Sequence, residues 1–241
     1  MHLSVIVPAF NEEKNLEKNI KKFNNFLSKQ PYDYEIIIVN DGSIDKTEEI
    51  ARKLSSQINK IKLINYKINR GKGFAVRQGL FAGQGQYRLF IDADNATPIN
   101  HINKAWPLFK KGYDIIIGSR NPKDAEGARQ VVKQIFWKRF LGISGNYFIK
   151  ALAVKGIWDT QCGFKIFTKK AVKDIIPKTK INRWALDVEI LAIAQNSSYK
   201  IEIIPVYWKN NPPSRVGIIG YFITLKEVIK IKWNLMRGRY K

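Results

Sequence analysis

The sequence predicts an α/β protein: a mostly parallel sheet with helices on both faces. Two observations carry that expectation. Four apolar runs, "LSVIVP", "YEIIIVN", "IKLINY" and "QYRLFID", alternate with segments of helical periodicity over residues 3–92. The runs are also apolar nearly throughout, as strands covered on both sides must be. Crossovers between such strands are right-handed, and ligands bind beyond the strands' carboxyl ends.

Residues 3–8 form the first strand, closed by Pro8. Asn11 is placed to cap the next helix, with Glu12 and Glu13 in its first turn, and Leu16, Ile20, Phe23 and Leu27 make its apolar stripe. The second strand spans 34–40; the turn "DGSIDKT" and a helix over 45–56 follow. The third strand, 61–66, leads through the glycine-punctuated "NRGKG" into a helix over 72–83. The fourth strand runs into "LFIDADNATP". A helix near 98–111 precedes "YDIIIGSR", a strand ending on a basic residue, and the polar loop "NPKDAEGARQ". Residues 131–154 read as helical, apolar and aromatic, interrupted by Lys133, Lys138, Arg139 and Lys150. "DTQCGFKIFTKKAV" reads as a loop, a short strand and a helix start, "RWALDVEILAIAQ" as a helix, and "YKIEIIPVYW" as an alternating strand. The tail, 216–241, is an amphipathic helix. Ile218, Phe222, Leu225, Ile229, Trp233 and Met236 share one face, flanked by Lys226, Lys230 and Arg237.

Composition narrows the classes. A 45% hydrophobic content with 6 Trp, 10 Tyr and 13 Phe excludes a disordered chain. The single cysteine, Cys162, excludes an intrachain disulfide framework and fits a reducing compartment. The opening "MHLSVIVPAFNEEKN" lacks the basic start and long apolar core of a signal peptide, and no apolar stretch is long enough to span a bilayer. The outlier is charge: 42 Lys and Arg against 20 Asp and Glu leave +22. Such a surface attracts polyanions: nucleic acid, anionic lipid or phosphorylated substrates. The segments 131–154 and 216–241 combine apolar and aromatic residues with Lys and Arg, the pattern of helices lying in a membrane interface. The competing reading is two core helices with snorkelling lysines.

The four strand ends are "PAFNEE", "NDGSID", "NRGKG" and "DADNATP". All are polar, and all fall at one edge of a parallel sheet. No Walker loop or G-x-G-x-x-G fingerprint is present, which disfavours a P-loop NTPase or a dehydrogenase. Asp92 and Asp94 sit at alternate positions past a buried strand, so both carboxylates can face one cleft. Two carboxylates suit Mg²⁺ or Mn²⁺, hard ions that keep waters and phosphate oxygens as further ligands. Helix capping by Asp94 is the alternative. Asp41, in "VNDGS", can accept hydrogen bonds from a base or ribose, or satisfy its own turn.

"VIVPAFNEEKNL", "IIIVNDGSIDKT", "NRGKGFAVRQG" and "LFIDADNATP", in this order and spacing, resemble the family 2 inverting glycosyltransferases of the GT-A fold. "GSRN", "VKGIWDTQCGFKIFTKKA", "RWALDVEILAIA" and "IEIIPVYW" extend the resemblance to the dolichyl-phosphate β-glucosyltransferases, and less closely to the dolichyl-phosphate mannose synthases. The resemblance implies residue roles. Pro8, Ala9, Glu12, Asp41 and Lys72 would line the nucleotide pocket. Asp92 would contact the nucleotide sugar or a metal, and Asp94 would hold the metal. Arg120 would meet the acceptor phosphate, with Arg139. Gln161 and Asp187 would lie near the sugar. Two positions depart from the family pattern. Asn40 replaces the first Asp of "DDGS", and Ala96 stands where mannose synthases often place a third metal ligand. The metal is therefore expected to have few protein ligands and to be ordered only with donor bound.

The expected function is transfer of a hexose, glucose from UDP-glucose, to a polyprenyl or dolichyl phosphate. The enzyme would act peripherally at the cytoplasmic face of a membrane, on an anionic surface and without nucleic acid as partner. Residues 1–97 would bind the nucleotide sugar, 98–215 the acceptor, and 216–241 the membrane. A phosphate acceptor is already anionic, whereas a hydroxyl acceptor needs a base, for which Asp187 is the candidate. The rivals are mannose transfer from GDP-mannose, transfer to a saccharide hydroxyl, and a non-catalytic basic module binding membrane or nucleic acid. No nucleic-acid-binding motif supports the last.

Overall fold

The computed structural model describes residues 1–130, 145–209 and 218–240. Its centre is a seven-stranded sheet in the order β3-β2-β1-β4-β7-β5-β8. The strands are β1 (Leu3–Ala9), β2 (Tyr34–Asp41), β3 (Ile61–Tyr66), β4 (Tyr87–Ile91), β5 (Ile115–Ser119), β7 (Phe164–Thr168) and β8 (Ile201–Pro205). β1 pairs in parallel with β2 and β4, and β2 with β3; β5 pairs in parallel with β8. β7 is antiparallel to both β4 and β5, between which it lies. A ribbon of β6 (Arg129–Gln130) and β9 (Tyr207–Trp208) forms beside it.

Strand alternation divides the core in two. Ile6, Ile37, Val39, Phe90, Ile115, Ile117 and Phe167 face one layer of helices: α3 (Lys72–Ala82), α6 (Lys169–Ile175), α7 (Leu186–Asn196) and α8 (Ile218–Met236). Val5, Val7, Ile36, Ile38, Leu89, Ile91, Ile116, Phe164 and Ile166 face α1 (Leu16–Leu27), α2 (Thr47–Gln57) and the 98–110 region. The stripe Leu16, Ile20, Phe23 and Leu27 is fully buried, as its spacing requires.

The structure differs from the sequence reading at two places here. Asn11 does not cap α1, which begins after Asn15. Asn11 instead takes a left-handed conformation, φ 53°, and its Oδ1 accepts the Ile44 N–H across the loop at 2.9 Å. The helix near 98–111 is a 3₁₀ segment, Ile99–Lys104, followed by the short α4, Trp106–Lys110. Pro107 has no N–H to give the preceding turn, so a continuous α-helix cannot cross it. Of the segment 131–154, residues 131–144 lie outside the described residues; helix α5 is described over 145–152.

The core-facing side of α8 is Val228, Ile231 and Asn234, all buried. Ile219, Phe222, Ile229, Trp233 and Met236 point outward instead, at 49–76% exposure. Thus most of the stripe read from the tail is its outer face. No helix among the described residues is long and apolar enough to cross a membrane.

Candidate active site

Because β7 runs opposite to its neighbours, its amino end meets the carboxyl ends of the parallel strands. One edge therefore gathers Pro8 and Ala9 from β1, Asp41 from β2, Asp92 and Asp94 after β4, Arg120 after β5, and Gln161 before β7. Asp187 joins them from the first turn of α7, and Lys72 opens α3.

The loop "NRGKG" ties two carboxylates together. Asp41 is buried; its Oδ1 accepts the Arg70 N–H at 2.9 Å and its Oδ2 the Gly71 N–H at 2.8 Å. Burial pushes the Asp41 carboxyl up, and those two amides only partly counter it. The next residue, Lys72, reaches Asp92 Oδ1 with its Nζ at 2.7 Å. Burial opposes the charge on Lys72. The carboxylates of Asp92, Asp187 and Asp94 outweigh it, so the ammonium is held charged more firmly than usual. The loop can take this course because Gly71 has φ 104°; a Cβ there would meet Asn182 O at 2.4 Å. Asn182 and Arg183 carbonyls accept the N–H groups of Phe74 and Gly73, at 3.0 and 3.1 Å. The first turn of α3 is thereby satisfied by protein.

Asp92 is enclosed on its other side. Its N–H donates to Gly163 O at 3.2 Å, and a Cβ on Gly163 would lie 1.9 Å from Asp92 Oδ2. Asp94 Oδ1 accepts the Ala96 N–H at 2.9 Å, while Asn19 Nδ2 donates to Ala93 O at 2.9 Å and fixes the turn to α1. Among the described residues no group of three or more His, Cys, Asp or Glu is poised for a metal. Two hard oxygen donors do fit a divalent ion that completes its shell with water and phosphate.

The second half supplies two ion pairs that sequence reading missed. Lys165, on β7 opposite Phe90 and Ile117, is wholly buried on the face that α7 covers. Its Nζ donates to Asp187 Oδ1 and to Cys162 O, both at 2.6 Å. Arg120 grips the buried Asp159 through Nε and Nη2, each at 2.7 Å, and stacks over Trp208 at 5.4 Å. Burial works against both charges, but each outweighs it for the other: Arg120 rises and Asp159 falls. Asp124 accepts the Asp159 N–H at 2.8 Å and so positions that partner. Lys165 had a visible signal, a lysine inside the apolar strand "GFKIF". Asp159 had none, since its partner is 39 residues away.

Lys72, Asp92, Asp94, Asp187 and Arg120 thus share one field. Pro8 is half-buried and Ala9 buried at the end of β1. Glu12 donates its N–H to Thr47 Oγ1 at 2.7 Å, and Gln161 donates to Trp184 O at 3.3 Å. Arg139 lies outside the described residues.

Residues 4–176 match the family described as Glycosyl transferase family 2. A dolichyl-phosphate beta-glucosyltransferase of Dictyostelium discoideum is 37% identical, over 100% of this chain and 77% of that protein. The Homo sapiens protein of the same name is 32% identical, over 99% of this chain and 77% of that protein. Glucosyl-3-phosphoglycerate synthase from Mycobacterium tuberculosis was solved with Mn²⁺, UDP-glucose and phosphoglyceric acid. It superposes with a TM-score of 0.70 at 17% identity, covering 99% of this chain and 79% of that chain. That likeness is one of fold, the GT-A arrangement, whereas the sequence matches carry the activity class. The chain is a glycosyltransferase and belongs to glycosyl transferase family 2.

Proposed function

We propose that the chain transfers glucose from UDP-glucose to a polyprenyl or dolichyl phosphate, with inversion, at the cytoplasmic face of a membrane. The observation that carries the reading is the cluster of Lys72, Asp92, Asp94, Asp187 and Arg120 at one sheet edge. It occurs in a chain whose relatives, matched over nearly its whole length, bear the name dolichyl-phosphate beta-glucosyltransferase.

Inverting transfer is a single in-line displacement at the anomeric carbon. Residues 1–97 hold the donor: Pro8, Ala9, Glu12 and Asp41 on the nucleotide side, Lys72 and Asp92 toward the diphosphate. Asp94 and Asp92 would hold Mg²⁺ or Mn²⁺, which when bound neutralises charge on the departing diphosphate. Residues 98–215 hold the acceptor. Arg120, fixed by Asp159, presents a permanent cation to the acceptor phosphate, with Arg139 as its companion. A phosphate nucleophile arrives charged, so the protein's task is alignment and charge stabilisation. Asp187, one oxygen committed to Lys165, is held still and, with Gln161, orients the sugar. The outward stripe of α8, with Lys226, Lys230 and Arg237, rests on the anionic surface that carries the lipid.

The test is a panel of UDP-glucose, GDP-mannose and other nucleotide sugars, with Mg²⁺ or Mn²⁺ and polyprenyl phosphate. The expected product is a β-linked glucosyl phospholipid. Product only with GDP-mannose, or only with a saccharide acceptor, overturns the substrate assignment. Asp94→Ala should lose metal-dependent transfer by roughly a hundredfold or more, the scale of removing one transition-state electrostatic contact. Full activity of that variant across a metal titration rules out the metal role.

A further inference from the structure

We propose that Glu227, on α8, is a positioning residue for the donor site, acting through the segment 179–185 that backs the loop "NRGKG". The inference rests on the donor role proposed for that loop and adds to it a residue of the C-terminal helix. Residues 179–185 lead into α7 without forming strand or helix. Their course therefore depends on the groups that take up their backbone hydrogen bonds. Two carboxylates do so, one at each end. Glu189, wholly buried on α7, accepts the Lys180 N–H on both oxygens and the Ile181 N–H on Oε2, each at 2.9 Å. The buried Tyr240 hydroxyl donates to its Oε1 at 2.6 Å. Glu227 holds the other end, its Oε2 accepting the Ala185 N–H at 2.9 Å. From a third side Arg77 Nη2, on α3, donates to Ile181 O at 2.7 Å and to Asn182 Oδ1 at 2.6 Å.

The middle of the segment, so held, meets the donor loop backbone to backbone. Its Asn182 and Arg183 carbonyls accept the first amides of α3, those of Phe74 and Gly73. The approach is close enough that a Cβ on Gly73 would stand 2.8 Å from Arg183 O. Lys72 lies immediately before those amides, and the two preceding residues, Arg70 and Gly71, give Asp41 its backbone hydrogen bonds. A segment released at Ala185 leaves the first turn of α3 without its fixed acceptors. Asp41 and Lys72, the groups proposed to meet nucleotide and diphosphate, then lose the wall behind them. Glu227 isolates this effect better than Glu189. It is half-buried, and its removal leaves Val228 and Ile231 packed in the core. Loss of Glu189 would strand two amides and the Tyr240 hydroxyl inside the protein.

The experiment measures UDP binding to the full chain by titration calorimetry with Mn²⁺ in excess, and urea unfolding of the same samples. Glu227→Leu should weaken UDP binding by roughly tenfold, the scale of one hydrogen bond to a charged group. Glu227→Gln keeps an oxygen that accepts the Ala185 N–H and should stay within about twofold of wild type. Arg77→Met frees the segment from its other side and should weaken UDP in the same way, which keeps the test open if Glu227→Leu does not fold. Tyr34→Phe is the control: it removes a 2.8 Å bond to Asn24 on α1, and should lower stability while leaving UDP affinity unchanged. Unchanged UDP affinity in Glu227→Leu or, failing that variant, in Arg77→Met overturns the proposal. So does Glu227→Gln matching Glu227→Leu, or an affinity that follows stability through Tyr34→Phe. The readout uses neither acceptor nor transfer, so failure of glucolipid synthesis alone removes the substrate assignment and leaves this inference standing. Absence of UDP binding in the wild type overturns the donor reading and this inference together.

Discussion

Lys165 has 0% exposure, and its ammonium is balanced by one carboxylate, Asp187. A buried pair of this kind contributes little against well-packed apolar residues, but breaking it leaves one charge stranded. Lys165→Met should therefore lower stability by about 3–5 kcal/mol, measured by urea unfolding, and adding Asp187→Leu should recover much of the loss. His101 gives a second expectation. It is buried, and burial first, then nearby Lys104, lowers its pKa to about 4. Below the unfolded value near 6.5 the unfolded chain takes a proton that the folded chain refuses. Stability is complete above that pH and falls as pH drops toward 4, by up to about 3 kcal/mol from this residue. Unfolding curves across that window should flatten in His101→Gln, and an unchanged acid limb would assign the loss elsewhere. The residues legible in the sequence were those carried by local motifs, such as Asp92 and Asp94 after an apolar run. Their counter-charges were not legible. Lys165 meets Asp187 across 22 positions and Arg120 meets Asp159 across 39, and neither distance leaves a periodic trace.

Elements were legible where burial imposes a period. β1 to β4 and α1 to α3 fall where the runs and stripes placed them, because each must cover one face of one sheet. The 98–111 region reads as one helix because its apolar residues suit a helix, and Pro107 overrules them. The strand at 164–168 was foreseen, but not its direction, since a buried antiparallel strand and a buried parallel one have the same apolar sequence. α8 is the element whose two faces most differ in partner. Its inner face is anchored: Glu227 Oε2 accepts the Ala185 N–H at 2.9 Å, and beyond its end Tyr240 donates to Glu189 at 2.6 Å. Its outer face, with Phe222, Ile229, Trp233 and Met236, has no protein covering among the described residues. The chain should bind anionic liposomes in flotation assays and lose binding as salt rises. Replacing Lys226, Lys230 and Arg237 by Gln should weaken it by about fivefold each, from about 1 kcal/mol per basic side chain near the surface. Equal, salt-insensitive binding to neutral liposomes would count against an electrostatic contribution.

At the scale of the molecule, a net charge of +22 coexists with a site edge rich in carboxylates. A positive field of that size attracts anionic ligands, and the aspartates at the edge already carry fixed counter-ions, Lys72 on Asp92 and Lys165 on Asp187. The halves proposed to hold donor and acceptor are not separate architectural units, because β7, from residues 98–215, lies against β4, from residues 1–97. That placement has a consequence for the chain while it is being made. As the ribosome releases residues 1–97, β4 hangs with one bare edge, and Asp92 lacks the Gly163 carbonyl that will accept its N–H. β5 comes next, and both of its eventual neighbours, β7 and β8, are still to be translated. A nascent chain paused there presents one half-paired and one unpaired apolar strand, the state in which sheets seek foreign partners. The site is therefore among the last parts of this protein to assemble.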